Sequence, residues 1–258
     1  MFSTGVIPGA LLYRFFMTSE GSPKSEARYS YMRCCRRWLV RAIVGIAMLV
    51  SLAPFALIVL YRFVAPPTTP LMLLRSVQGY RVQYDWVGFY SIAPVMRRAV
   101  IAAEDFGFCG EATGFDFHSM EYEFEVWRNG GRPLGASTIT MQTARNLFLL
   151  PGRSWIRKLV ELWITPQIAL LLPRHRVLEV YLNIVEFGPG IHGVEAASRH
   201  YFGKDASELT LVEATRLAAV LPNPLHWSAS DPAPIVMQRA LKIAAPVYFK
   251  DFRFGCAE

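Results

Sequence analysis

Hydrophobic and polar positions divide the chain into two unlike parts. The run from Ala42 to Leu60, AIVGIAMLVSLAPFALIVL, holds nineteen residues without a charge, close to the roughly 20 that a helix needs to cross a hydrocarbon core. Pro54 lies inside it, which a membrane helix tolerates with a kink. Beyond it the pattern is that of a mainly helical domain. Pro66, Pro67 and Pro70 keep a short linker extended. Alternation from Tyr80 to Tyr84 (YRVQY) predicts a short strand. Pro94 opens a helix whose apolar face is Val95, Ala99, Ile101 and Ala102 and which leads into Glu104 and Asp105.

An aromatic-rich segment from Phe106 to Trp127 comes next, without a clear period, and reads as irregular, and a glycine-marked loop runs from Asn129 to Arg132. The next helix is expected to begin at Ser137, acting as its N-cap, in GASTITMQTARNLFLL. Another starts after a capping Ser154, with Trp155, Leu159, Leu162 and Trp163 as its apolar face, and continues past Pro166 with a bend. Pro173 opens a helix that buries Val177, Leu178, Tyr181, Leu182 and Val185. Gly188, Pro189 and Gly190 break the chain before a short helix from Ile191 to Phe202, stopped by Gly203. Thr210 and Glu213 form a capping box ahead of the apolar run Leu217 to Leu221, which Pro222 ends.

Charge adds an orientation. Residues 1–41 carry Arg14, Lys24, Arg28, Arg33, Arg36, Arg37 and Arg41 against Glu20 and Glu26. By the positive-inside rule this arm is cytoplasmic and everything after Tyr61 lies on the other side. A cleavable signal peptide is disfavoured, since its apolar core spans only about 7–15 residues and comes after a shorter arm. The net charge of +7 suits an anionic substrate or lipid. Nucleic acid is a poor third, because neither a zinc-finger spacing nor an RNA-binding aromatic signature is present. Cys34, Cys35, Cys109 and Cys256 contain no CxxC pair and point to neither a metal site nor a disulfide framework.

The first candidate chemistry is one turn of the helix after Ser154. Arg157 and Lys158 stand four and three positions before Glu161, close enough to pair with it, and two cations at a helix N-terminus suit a bound phosphate. Taken alone, a solvated, salt-bridged face is the simpler explanation of the same residues. Glu104 is open in the same way: a catalytic carboxylate, or a helix-end carboxylate paired with Arg97 or Arg98.

Four segments in order, AVIAAED (99–105), GASTITMQ (135–142), RKLVE (157–161) and LEVYLNIVEFG (178–188), resemble the peptidoglycan glycosyltransferase domain of bacterial wall synthesis. The likeness is greatest to its monofunctional branch and covers about Ser91 to Trp227. The stretch beyond Trp227 is too short for a transpeptidase domain. The resemblance implies a mainly α, lysozyme-like helical domain behind a single N-terminal transmembrane helix. Its divisions are a basic cytoplasmic arm (1–41), the span (42–60), a linker (61–90) and an extracytoplasmic glycosyltransferase domain (91–258) in the periplasm, anchored in the inner membrane.

It also implies an inverting transfer, in which a polyprenyl-linked glycan chain passes to the 4-hydroxyl of lipid II and a lipid diphosphate leaves. Such chemistry needs a base for a weakly acidic hydroxyl and positive charge for the diphosphate. On the matching positions Glu104 is the general base and Glu161 the second catalytic carboxylate, with Lys158 and Arg157 as diphosphate ligands. Ser137, Thr138, Gln142 and Arg145 fall on the donor site. Glu179, Tyr181 and Asn183 read as structural braces. In the resembling enzymes the second glutamate acts sometimes through a divalent cation (Mg2+ or Mn2+), and no other cofactor is expected. The partners implied are lipid II, the growing glycan, the membrane and other wall-synthesis proteins, with no nucleic acid.

The chain departs from the family pattern at several places. Glu111 occupies the usual histidine position, and Gly114 arrives one residue late, so Glu111–Thr113 contains an insertion, read as a displaced wall of the acceptor site. Ala136 stands for a usual glycine, Met141 for glutamine and Arg145 for lysine, and Ala244–Glu258 is unlike the family's C-terminus. Two other functions remain open on sequence: a lysozyme-like lytic glycosidase, with little need for Arg157 and Lys158, and an inactive membrane-anchored scaffold.

Overall fold

The structure, a computed structural model, describes residues 23–131, 135–152, 154–249 and 252–258. The chain divides into two compact units at Leu52/Ala53. Helix α1 (Pro23–Tyr61) contains the uncharged run. The side chains of Ala47, Val50 and Ser51 within that run lie outside the described residues, as does the arm before Pro23. Among the described residues no helix is long and apolar enough to cross a membrane.

The second unit is helical with a small sheet. After α2 (Pro70–Val77) and β1 (Gln83–Tyr84) come α3 (Pro94–Glu104), α4 (Phe117–Arg128), α5 (Ile139–Phe148), α6 (Trp155–Leu171) and α7 (Arg174–Ile184). Then come β2 (Glu186–Gly188), β3 (Ile191–His192), α8 (Val194–Phe202), α9 (Leu211–Val220) and α10 (Pro234–Tyr248). The sheet order is β1-β3-β2, with β1 parallel and β2 antiparallel to β3. Strand β1 lies within the predicted YRVQY, but Ile191 and His192 form a strand where a helix was expected. Gly193 is the reason for the late start of α8: its φ is +86° and a Cβ there would meet the Asn183 carbonyl at 2.5 Å, so the chain turns before it coils.

Helices α3, α9 and α10 pack on one another, and α5 packs on α6 and α7. Met96, Val100, Ile101, Ile139, Val177, Val180, Tyr181 and Leu217 are fully buried between them, each such side chain worth about 1.5–3 kcal/mol of transfer free energy. The predicted capping box is present: Thr210 Oγ1 accepts from the Glu213 N–H and Glu213 Oε2 from the Thr210 N–H. Two caps differ from expectation. Thr138, not Ser137, caps α5, accepting from the Met141 N–H at 3.1 Å. Ser154 stands at the N-cap of α6 but makes no side-chain cap bond.

Three larger corrections concern faces and ends. The aromatic segment is not irregular throughout, because Phe117–Arg128 forms α4, capped by Asp116. None of its residues is fully buried, and the half-buried face of Ser119, Met120, Glu123 and Val126 mixes polar with apolar side chains, so no apolar stripe marks the helix. On α6 the expected apolar face points outward: Trp155 is 74% exposed, Leu159 55% and Trp163 56%. Glu161, Ile164, Thr165 and Ile168 are the buried residues instead.

The C-terminal segment docks beside the end of α3. Cys256 forms a disulfide with Cys109, 147 positions away in sequence, against the expectation of no disulfide framework. Spacing could not show it, because the pair meets only after the tail has docked. Arg98 donates to Glu258 Oε1 at 2.7 Å, Arg97 to the Glu258 backbone oxygen at 3.1 Å, and Phe254 meets Phe106 edge-on. Arg97 and Arg98 are thereby turned towards Glu258, and neither pairs with Glu104.

Candidate active site

Glu104 ends α3 and Asp105 is its C-cap, so the carboxylate stands where the helix stops and the chain opens into a loop. Its two oxygens are held separately. Gln142 Nε2, on α5, donates to Oε2 at 2.9 Å, and Arg239 Nη2, on α10, donates to Oε1 at 3.0 Å. The same guanidinium nitrogen reaches the Ala103 carbonyl at 3.1 Å. Burial pushes the Glu104 carboxyl above the usual carboxylate range, while Gln142 and Arg239 pull it back down. A carboxylate raised in this way is a stronger base than a free one and suits proton acceptance from a weak acid.

Gln142 links this end to the next. Its Oε1 accepts from the fully buried Tyr181 hydroxyl at 3.0 Å, and its Nε2 also approaches the Ser137 carbonyl at 3.4 Å. The Ser137 hydroxyl is 3.4 Å from Lys158 Nζ, which donates to Glu161 Oε1 at 2.6 Å. Arg157 donates to the other oxygen at 3.0 Å. Glu161 is 1% exposed whereas the Lys158 side chain is 40% exposed. The carboxylate is therefore a buried anchor for two cations, one of which still reaches open space. The turn is thus not the solvated salt-bridged face that the sequence left open.

Two cavities flank the Glu104–Gln142 bond. One, of about 270 Å³, is lined by Glu104, Asp105, Asp116, Ser119 and Ser137. Gly107, Asp116, Ser119 and residues 135–138 form its wall, and Glu111–Thr113 do not line it. The other, of about 260 Å³, is lined by Gln142, Arg145, Arg157 and Arg75, with Glu186 the one carboxylate among its lining residues. Glu186 accepts two hydrogen bonds of 2.7 Å from Arg75; with Arg157 paired to Glu161, Arg145 leaves this cavity with a positive excess.

Of the residues singled out from sequence, Glu104, Gln142, Ser137, Lys158, Arg157 and Glu161 form one continuous network, and Arg145 approaches it through Gln142 at 3.5 Å. Thr138 belongs to the frame: it is buried, donates to the Gly114 carbonyl at 2.7 Å and caps α5. The fourth motif braces as expected. Asn183 exchanges two hydrogen bonds of 2.9 Å with the Val87 backbone, and Glu179 accepts from Arg176. Arg239 was missed, because nothing in its local sequence marks it and only the packing of α10 on α3 brings it to Glu104.

Residues 72–247 match the family described as Transglycosylase. The chain belongs to the transglycosylase family. Proteins named biosynthetic peptidoglycan transglycosylase agree over nearly the whole domain. That of Caulobacter vibrioides is 42% identical over 82% of this chain and 92% of its own length. That of Jannaschia sp. is 44% identical over 86% and 90%, and that of Bdellovibrio bacteriovorus 42% over 81% and 84%. The helical domain of this transglycosylase thus carries its Glu104 network within the matched residues, while Cys256 and Glu258 lie past their end.

Proposed function

We propose that this transglycosylase is a peptidoglycan glycosyltransferase that polymerises lipid II, with Glu104 taking the proton of the acceptor 4-hydroxyl as polyprenyl diphosphate departs. The observation that carries the reading is the unbroken path from Glu104 through Gln142 and Ser137 to Lys158 and Glu161. It puts a raised carboxylate and a cationic cavity on either side of one hydrogen-bonded amide. Proton acceptance belongs at the first, and charge developing on the diphosphate is met at the second by Arg157 and Arg145, with Lys158 next to Arg157 on α6. Such a division matches an inverting glycosidase with a sugar hydroxyl in place of water.

The donor set does not fit a resident divalent cation. Both Glu161 oxygens are taken by Arg157 and Lys158, and among the described residues no group of His, Cys, Asp and Glu could hold a metal. Incubating the full chain with lipid II and resolving the glycan on a gel tests the reading. Polymer is the expected product; cleavage of added strands would indicate the glycosidase, and binding without turnover the scaffold.

The catalytic domain is proposed to be periplasmic, anchored by residues 42–60. The arginine-rich arm and the uncharged run support this, as do the exposed apolar residues of that run, Ile46, Leu49 and Leu52 among them. The Cys109–Cys256 disulfide also belongs in an oxidising compartment. A reporter fused after Glu258 is expected to behave as exported and one near Arg28 as cytoplasmic. A soluble form cleaved after the apolar run would contradict the anchor.

A further inference from the structure

The loop after Glu104 is fixed at both ends, and Glu111 lies between the fixed points. On one side Phe108 is fully buried and Cys109 is tied to Cys256. On the other, Thr138 holds the Gly114 carbonyl at 2.7 Å, and Gly114 (φ +81°) sits so close to Thr140 that an added Cβ would meet it at 2.8 Å. The side chain of Glu111 is thereby held against other carboxylates. An added Cβ on Gly107 would lie 3.3 Å from Glu111 Oε1, 3.7 Å from Asp116 Oδ2 and 4.0 Å from Asp105 Oδ1.

The hydrogen bonds show which of these groups lacks a donor. Asp105 Oδ2 accepts from the Ile139 N–H at 2.9 Å, tying the end of α3 to the start of α5, and Asp116 accepts from Ser119. Both oxygens of Glu111 are buried with no protein donor among the described residues. A cation faces the cluster from α7: Arg174 stacks over Phe108 at 5.6 Å, and its Nη1 has no hydrogen-bond partner among the described residues. The His118 backbone N–H adds a further donor to Asp116. A carboxyl whose two buried oxygens lack a donor and which is held beside two further carboxylates favours its protonated form.

We propose that Glu111 keeps its proton at neutral pH and donates it to Asp105, making Glu111 a positioning residue for Glu104. The proposal rests on the reading of Glu104 as the base. The Glu111 O–H fills one lone pair of Asp105 while Ile139 fills another, and Asp105 in turn sets where α3 ends and Glu104 projects. The charged groups around Glu111 are Asp105 from α3, Asp116 at the start of α4 and Arg174 from α7. Burial first, then Asp105 and Asp116, push the Glu111 carboxyl up to about 8, against the pull of Arg174. Burial raises Asp105 too, but the Ile139 N–H and the Glu111 hydrogen bond favour its ionised form, so the shared proton sits on Glu111.

The test compares native protein with Glu111→Gln, whose amide is a permanent donor of the same size. Native turnover is expected to fall through pH 8, to about a tenth of its pH 7 value by pH 9 for a single ionisation. Glu111→Gln should keep the pH 7 rate within about threefold and lose that alkaline decline. Melting temperature gives a readout independent of catalysis. Between an unfolded value of 4.5 and a folded value of about 8 the native state holds a proton that the unfolded chain has released, so native stability falls as pH rises through that window. Gln does not titrate, so the melting difference in favour of Glu111→Gln should widen from pH 5 to pH 8. A constant difference overturns the shared proton. A widening difference with the alkaline decline intact in Glu111→Gln overturns the positioning role. If neither protein transfers glycan, the melting curves still decide the proton, and it is the reading of Glu104 that falls.

Discussion

Replacing Glu104 by Gln is expected to lower turnover of lipid II by about 10²–10⁴-fold, the usual contribution of a general base, with the fold and lipid II binding retained. The variant is nearly isosteric and removes only the proton acceptor. One side effect is local. Gln142 and Arg239 both donate to Glu104, and an amide offers an acceptor to only one of them. Gln142 cannot simply turn over, because its oxygen already accepts from Tyr181. An orphaned donor there costs about 1–3 kcal/mol, which is a stability effect visible in the melting temperature. Turnover within a few-fold of native, with normal melting, would remove Glu104 from the chemistry.

Replacing Lys158 by Ala is expected to cost about 10²–10³-fold in turnover, some 2.7–4 kcal/mol of barrier, as for removal of one donor that stabilises developing charge. Its ammonium stands between Ser137 and the buried Glu161 and is the more exposed of the two cations on that carboxylate. Folding should survive, because Arg157 still pairs with Glu161 at 3.0 Å. Lys158→Arg should recover only part of the rate, since a planar fork does not reproduce a compact ammonium. Circular dichroism and melting temperature separate this from loss of fold. A lytic glycosidase has no diphosphate to hold, so near-native glycan turnover in Lys158→Ala would favour that reading.

The elements read correctly from sequence were those whose local signals and tertiary roles agree. Helix α3 starts at Pro94, α9 carries its capping box, and α7 buries the face its spacing predicted. The reading failed where a site or a distant segment overrides local pattern. Helix α6 turns Glu161 inward and Trp155 outward, the reverse of its hydrophobic pattern, because the buried carboxylate is what holds the two cations in place. Helix α4 fully buries none of its residues and its half-buried face is mixed, so it has no apolar stripe to read. Most of the network was legible because its residues lie inside the four recognisable segments. Arg239 and the Cys109–Cys256 bridge were not, since both depend on how residues after 230 return to α3. Glu111 was visible as a departure at the histidine position, but its role depends on a loop held at both ends, which spacing alone does not describe.

The acid limb of the pH–rate profile tests the role of Glu104 most directly. Burial raises its carboxyl above 4.5 despite Gln142 and Arg239, so protonation on acidification removes the acceptor for the 4-hydroxyl proton. The native enzyme should lose kcat/KM with a single-proton slope and a midpoint above 4.5. The residual activity of Glu104→Gln should show no such limb. An acid limb of unchanged midpoint in Glu104→Gln would assign the titrating base to another residue and contradict the account.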